Sequence, residues 1–151
     1  MTKVLIIEDG LEYSETLTRF LGDRFGFERV GSGPAALARL EGAHGIDGVF
    51  LDMRFDRTPD DELLGDLDEL LDRFNGDPAQ ARRFREDHQG TYVLAALREA
   101  GVSLPVLMSY DFDGEPRRWK RLAARFGPLD YLPDNASPAE VAERLQALTS
   151  G

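Results

Sequence analysis

Two short, strongly apolar stretches constrain this chain more than any other feature. Val4 to Ile7, in "KVLIIEDG", alternates nothing: every position is β-branched or leucine. Ile46 to Leu51, in "GIDGVFLDMR", ends in an equally apolar Val-Phe-Leu. Runs this short are strand-length, and apolar character at consecutive positions means burial on both faces. A strand buried on both faces needs helices above and below it. The intervening sequence supplies them. Tyr13, Leu17, Phe20 and Leu21 fall at helical spacing, with Gly22 and Gly26 at the exit. Phe27 to Val30 reads as a short strand, and Ser32, Gly33 and Pro34 open a second helix with Ala36, Leu37 and Leu40 inward. The order β-α-β-α-β predicts a parallel sheet with right-handed crossovers.

The alternation resumes after residue 88. The spacing predicts a helix over 90–100, a strand in "LPVLMS" at 104–109, a helix over 116–126, a strand in "LDYL" at 129–132 and a last helix over 138–148. Ser137 is placed to cap that last helix, with Pro138 in its first turn. Residues 56–88 are extra. Leu63, Leu64, Leu67, Leu70, Leu71 and Phe74 repeat at helical spacing, "NGDP" at 75–78 separates two helices, and Ala79, Ala81 and Phe84 line the second. A structureless loop of that length is improbable, so a helical insertion after the third strand is expected. The whole chain, 1–151, reads as one domain.

Both apolar runs stop on acids: Glu8 and Asp9 after the first, Asp52 after the other. In an open parallel α/β sheet ligands bind beyond the carboxyl ends of the strands, at the topological switch point. In the strand order 2-1-3-4-5 the first and third strands are neighbours. Their terminal carboxylates then lie close together, where mutual repulsion raises a pKa or demands a cation. Clustered oxygens with room for water suit Mg²⁺ or Mn²⁺. Acids outnumber Lys and Arg 28 to 18, which argues against a phosphate-backbone binder of nucleic acid. There is no cysteine, so disulfides and thiolate metal sites are excluded. No apolar run reaches the roughly 20 residues of a membrane span, no signal-peptide pattern opens the chain, and a cytoplasmic location is expected. His44 and His88 belong to no metal-spaced cluster and read as surface residues.

With these features in place, the chain resembles a bacterial response-regulator receiver domain of the chemotaxis type, a doubly wound, flavodoxin-like α/β fold. "LIIEDG" is similar to that family's first strand and acidic pair, "GVFLDMR" to its third strand and phosphoacceptor, "HQGTYVLAALREAGVSLPVLMS" to its third helix and fourth strand, and "LDYL" to its fifth strand with a switch aromatic. The resemblance implies that Asp52 accepts a phosphoryl group from a histidine kinase, a phosphotransfer protein or a small phosphodonor. It implies that Glu8, Asp9, Asp52 and the backbone carbonyl of Arg54 hold Mg²⁺. Ser109 would then bond the phosphoryl group and Tyr131 would turn inward. Output would pass to a protein partner, or a second copy, through the helix 116–126, strand 129–132 and helix 138–148 face. Such a domain is not an enzyme beyond losing its own phosphoryl group.

The chain departs from that family in named places. The family's lysine after the fifth strand is missing: the chain has only Lys3 and Lys120, and Asp134 stands near the expected position. The family's proline after the phosphoacceptor is replaced by Arg54, Phe55, Asp56 and Arg57. Ser109 comes one residue early relative to Pro105, leaving Tyr110 at the strict position, and Ser109 is preferred because a small hydroxyl fits beside a phosphoryl group. A pseudo-receiver that binds partners without phosphate is therefore one alternative. A Mg²⁺-dependent phosphohydrolase using Asp52 as nucleophile is another, weakened by Arg54 where a second aspartate is usual. The 56–88 segment is a candidate lid, with Arg54, Arg57 or an arginine of 82–85 replacing the lysine. Arg117, Arg118, Lys120, Arg121 and Arg125 make one helix basic and a docking surface for an acidic partner, while Trp119 reads as core.

Overall fold

In the computed structural model, which describes residues 1–150, the two apolar runs lie side by side at the centre of the sheet. In chain order the elements are β1 (Thr2–Ile7), α1 (Glu12–Leu21), β2 (Phe25–Val30), α2 (Gly33–Arg39), β3 (Gly48–Asp52), α3 (Leu67–Arg73), α4 (Pro78–Asp87), α5 (Gln89–Glu99), β4 (Val106–Ser109), α6 (Pro116–Phe126), β5 (Leu129–Leu132) and α7 (Pro138–Thr149). All strand pairs are parallel and the order is β2-β1-β3-β4-β5. This is the doubly wound order expected from the sequence.

Successive strand residues face opposite layers. Leu5, Ile7, Val49, Leu51, Val106 and Met108 pack with Ala36 of α2, Val93, Leu94 and Leu97 of α5 and Leu122 of α6. Val4, Ile6, Phe50 and Leu107 pack with Leu17 and Leu21 of α1 and Val141, Ala142 and Leu145 of α7. Val4 to Ile7 are all fully buried, as a two-faced strand requires. Trp119 is half-buried against the first of these cores, as expected. No helix among the described residues is long and apolar enough to cross a membrane.

The chain between β3 and α5 contains two helices, separated at Asn75 and Gly76, both with positive φ. Asp66 and Asp77 cap them, each accepting two backbone amides. The expected helical run from Leu63 is corrected at its start. A short 3₁₀ turn (Asp60–Glu62) leads into extended chain at Leu63, and helix begins only at Leu67. The reason is a backbone pairing with a side chain: Gln89, fully buried, accepts from Leu64 N at 2.8 Å and donates to Leu64 O at 2.9 Å. It also donates to Arg85 O at 3.3 Å. Leu63 and Leu64 keep their apolar role by packing on the core without helical geometry.

α5 lies unusually close to the end of β3. Gly90 N donates to Met53 O at 2.8 Å, and a Cβ on Gly90 would stand 2.5 Å from Asp52 O. Only glycine allows that approach, which fixes the backbone at the tip of β3.

Gln89 is the side chain on which the extended 63–66 segment depends. Gln89→Leu removes its amide and leaves both backbone groups of the half-buried Leu64 without these partners. It should lower unfolding free energy by about 2–4 kcal/mol, read as a shift in the urea midpoint.

Candidate functional site

The register places four polar side chains at one edge. Ile7 pairs with Leu51, so Glu8 and Asp9 leave β1 level with Asp52; Asp52 in turn pairs with Ser109. Beyond this edge lies an open cavity of about 690 Å³, lined by Asp9, Tyr13, Asp52, Met53, Arg54, Asp56, Arg57, Asp87, His88, Ser109, Tyr110, Asp111 and Asp134. Six aspartates face it against two arginines. A neighbouring cavity of about 390 Å³ shares Tyr13, Asp52, Arg57 and Asp134 and reaches Glu8.

The three acids differ in what holds them. Glu8 is buried, and its carboxylate accepts from Tyr13 N at 3.2 Å and Ser14 N at 2.7 Å. It caps α1, whose own N-terminal residue Leu11 supplies no side-chain cap. Burial pushes the Glu8 carboxyl up from its ordinary range, and the two amides oppose this. Asp9 accepts from Arg57 N at 2.7 Å and lies 3.8 Å from the Arg57 guanidinium. Among the described residues Asp52 accepts a single bond, from its neighbour's amide, Met53 N at 2.9 Å. Its carboxyl is pushed up to about 7, chiefly by burial, with Asp9, Glu8 and Asp134 adding repulsion.

The three-carboxylate cluster expected from the sequence is thus reduced to a pair in the main cavity. Among the described residues no three His, Cys, Asp or Glu side chains converge as a metal-holding group. The physical reason is that Glu8 is committed to the helix terminus. A pair remains chemically adequate for Mg²⁺, which often binds through one or two carboxylates and keeps several waters.

Around Asp52 stand two hydroxyls that are bonded to each other. Ser109 is buried, and its Oγ lies 2.7 Å from the Tyr13 hydroxyl. Burial raises the Tyr13 phenol to about 12, with the carboxylates of Asp52, Asp134 and Glu8 contributing, so the phenol stays protonated. Sequence reasoning saw Tyr13 only as a core-facing helix position. Its placement four residues after Asp9, on the inward face of the first turn of α1, was the available signal. Tyr110, the strict-position alternative to Ser109, also lines the cavity, but its hydroxyl donates to Glu115.

Tyr131 does not line the cavity. Its ring packs on Trp119 at 4.6 Å and Phe112 at 5.3 Å, and its hydroxyl donates to Asp113. The arginines are also sorted. The Arg54 guanidinium lies 3.1 Å from Asp87 and 3.6 Å from Asp56, on one rim. Arg82 and Arg85 pair with Asp60, away from the cavity, and Arg83 does not line it. The lid expectation is therefore corrected: α3 and α4 pack on each other through Phe74 and Phe84, and only the segment's two ends border the site. His88, read as a surface residue, stacks on Phe84 at 3.9 Å and forms part of the cavity wall.

No protein-family model matches the sequence, and no curated protein matches it. Solved structures do. The receiver domain of the Francisella response regulator 1452 matches with TM-score 0.67 and 16% identity, over 99% of this chain and 98% of that one. The Vibrio cholerae chemotaxis protein CheY4 matches with TM-score 0.64 and 19% identity, over 98% of both chains. A structure described as adenylate cyclase from Rhodopirellula baltica matches with TM-score 0.67 and 16% identity, over 99% of this chain and 89% of that one. The five parallel strands in the order 2-1-3-4-5 with flanking helices are accordingly the fold of CheY-like response-regulator receiver domains.

Proposed function

We propose that this chain is a cytoplasmic signalling receiver: a single receiver-like domain, with 56–88 as a helical insertion, that takes a phosphoryl group on Asp52 in the presence of Mg²⁺ or Mn²⁺ and signals through protein contacts. The observation that carries this reading is the state of Asp52. It is a carboxylate at a strand end, facing an open cavity, short of hydrogen bonds, and beside the buried hydroxyl of Ser109.

An ionised Asp52 oxygen attacks phosphorus in the donor. An O–P bond forms as the donor's P–N or P–O bond breaks, and the leaving group departs with that bond's electron pair, with any proton it then gains coming from solvent. Asp52 must be deprotonated to do this, and burial among acids works against ionisation. Added positive charge is therefore a chemical requirement of the site. Asp9, Asp52 and the Arg54 carbonyl would hold Mg²⁺ or Mn²⁺, which would offset the charge of carboxylate and phosphoryl oxygens. Glu8 supports the site by fixing α1 and adding negative field. Ser109 is placed to give its hydroxyl to a phosphoryl oxygen, exchanging its bond to Tyr13 for a charge-assisted one.

That exchange reaches the output side. Past Ser109, Tyr110 is tied to Glu115 and thereby to Arg118, at the start of α6. A shift there would move the aromatic group that holds Tyr131. Arg118 is engaged by Glu115 and by Thr91 Oγ1 at 3.2 Å, so it is part of this linkage and not a free docking charge. Arg117, Lys120, Arg121 and Arg125 remain for an acidic partner. The upstream partner is a histidine kinase or a phosphotransfer protein, and pairing with a second copy would use the same face.

One observation favours the phosphate-independent alternative: the cavity holds Asp134 where a cation would help transfer. The phosphohydrolase alternative loses ground because Arg54 turns to Asp56 and Asp87.

Incubation with acetyl phosphate and Mg²⁺ should yield a single phosphoryl adduct by intact mass, absent in Asp52→Asn and after chelation of the metal. No adduct under conditions that label a control receiver would leave the phosphate-independent reading. The protonation of Asp52 supplies a second measurement. A carboxyl raised from 3.8 unfolded to about 7 folded binds more protons in the native state, so stability falls as pH rises through that window. Asn cannot ionise. Asp52→Asn should therefore be more stable than wild type by about 2–4 kcal/mol near pH 8, with the gap closing by about pH 4. Mg²⁺ should narrow the alkaline gap, because it stabilises only the wild type.

A further inference from the structure

The negative cavity contains one cation in an unusual place. Arg57 is held at its backbone by Asp9, and its guanidinium lies 2.9 Å from Glu12 Oε1 and 3.8 Å from Asp9 Oδ1. The Asp9 side chain is only 3% exposed, while the Arg57 side chain beside it is 57% exposed. A third cavity, of about 300 Å³, lies behind Asp9, and Arg57 alone lines all three. It stands where they meet.

The main chain makes room for this arrangement. A Cβ on Gly10 would lie 2.2 Å from Arg57 Nη2 and 2.1 Å from Glu12 Oε2. Gly10 is not among the glycines with positive φ, so the backbone does not demand glycine there. The space is what is used: the Arg57–Glu12 pair lies across the bare backbone. Arg29 holds the same turn from the other side, donating to the carbonyls of Glu8, Asp9 and Gly10.

We propose that Arg57 is a tethered counter-ion that occupies the cation position beside Asp9, so that a divalent ion must displace its guanidinium in order to bind. Resting on the cation site of the proposed function, this adds that the affinity of the site is held down by one side chain. A guanidinium and a divalent ion both seek the same carboxylate oxygens, and a nearly buried Asp9 cannot serve both in full. The guanidinium loses little on leaving, because Glu12 is exposed and solvent replaces it. The device therefore weakens ion binding without abolishing it. It also selects against weakly charged competitors, since a monovalent ion brings no more charge than the guanidinium it replaces.

Two variants test this by Mn²⁺ titration, following free Mn²⁺ by electron paramagnetic resonance. Arg57→Ala removes the guanidinium and should tighten Mn²⁺ binding by about 2- to 5-fold, the scale of a partly exposed ion pair. Gly10→Ala keeps every charge but fills the space under Arg57, and should tighten binding in the same direction. Unchanged or weaker binding by Arg57→Ala overturns the proposal. So does tightening by Arg57→Ala with none by Gly10→Ala, because the effect would then be general charge and not occupancy. Absence of Mn²⁺ binding in wild type and both variants would overturn the cation site itself, a failure distinct from equal binding by all three.

Discussion

The parallel pairing of β1, β3 and β4 in one register is the constraint on which the rest of this structure depends. Ile7 opposite Leu51 and Asp52 opposite Ser109 bring the carboxyl ends of three buried strands to one line. Burial on both faces allows no slippage, because a shift by one residue would exchange the two cores. The acids that follow the apolar runs are therefore brought to one edge whatever their mutual repulsion. Gly90 tightens the constraint by letting α5 rest on the tip of β3. The electrostatics of this edge follow from a fold that cannot move these acids to different ends of the sheet.

The molecule answers the crowding with different partners for each acid. Glu8 takes two helix amides, so its charge meets the positive end of α1. Asp9 takes the amide of Arg57 with the guanidinium nearby. Asp52 receives one adjacent amide and is left with a raised pKa. The least compensated member is the one that faces the cavity beside Ser109. Perturbed titration, concavity and a neighbouring hydroxyl coincide there, and that coincidence identifies a site more firmly than acidity alone.

Much of this was legible in the sequence because it depends on unbroken apolar runs. Val4–Ile7 and Val49–Leu51 admit few other readings, and the acids ending them locate the edge without any knowledge of packing. What failed to show were contacts made by residues distant in sequence. Leu63 and Leu64 fit helical spacing, yet their backbone is claimed by Gln89, 25 residues on for Leu64. Glu8 carried no sign that it would cap α1, since capping depends on how the helix starts after Gly10. Arg118 resembled its neighbours on a basic helix until Tyr110, Glu115 and Thr91 were seen around it. Asp87, at the end of α4, and Asp111, just past β4, reach the cavity only because distant parts of the chain converge there.

α5 connects the site to the basic helix. Thr91 Oγ1 lies 3.5 Å from the sulfur of Met53, the residue after Asp52, and accepts from Arg118 at 3.2 Å. Arg118 binds Glu115, and Glu115 binds Tyr110, which follows Ser109. The path thus closes a ring from the tip of β3 to the tip of β4 by way of α5 and α6. Contiguity of this kind is not coupling; coupling needs an element with two arrangements that the site can bias. Ser109 is the member with a second partner within chemical reach, because its hydroxyl can serve either the phenol of Tyr13 or an oxygen held on Asp52. Under the proposed function, that choice is the two-state element, and the ring closed through Arg118 is the route by which it would reach α6.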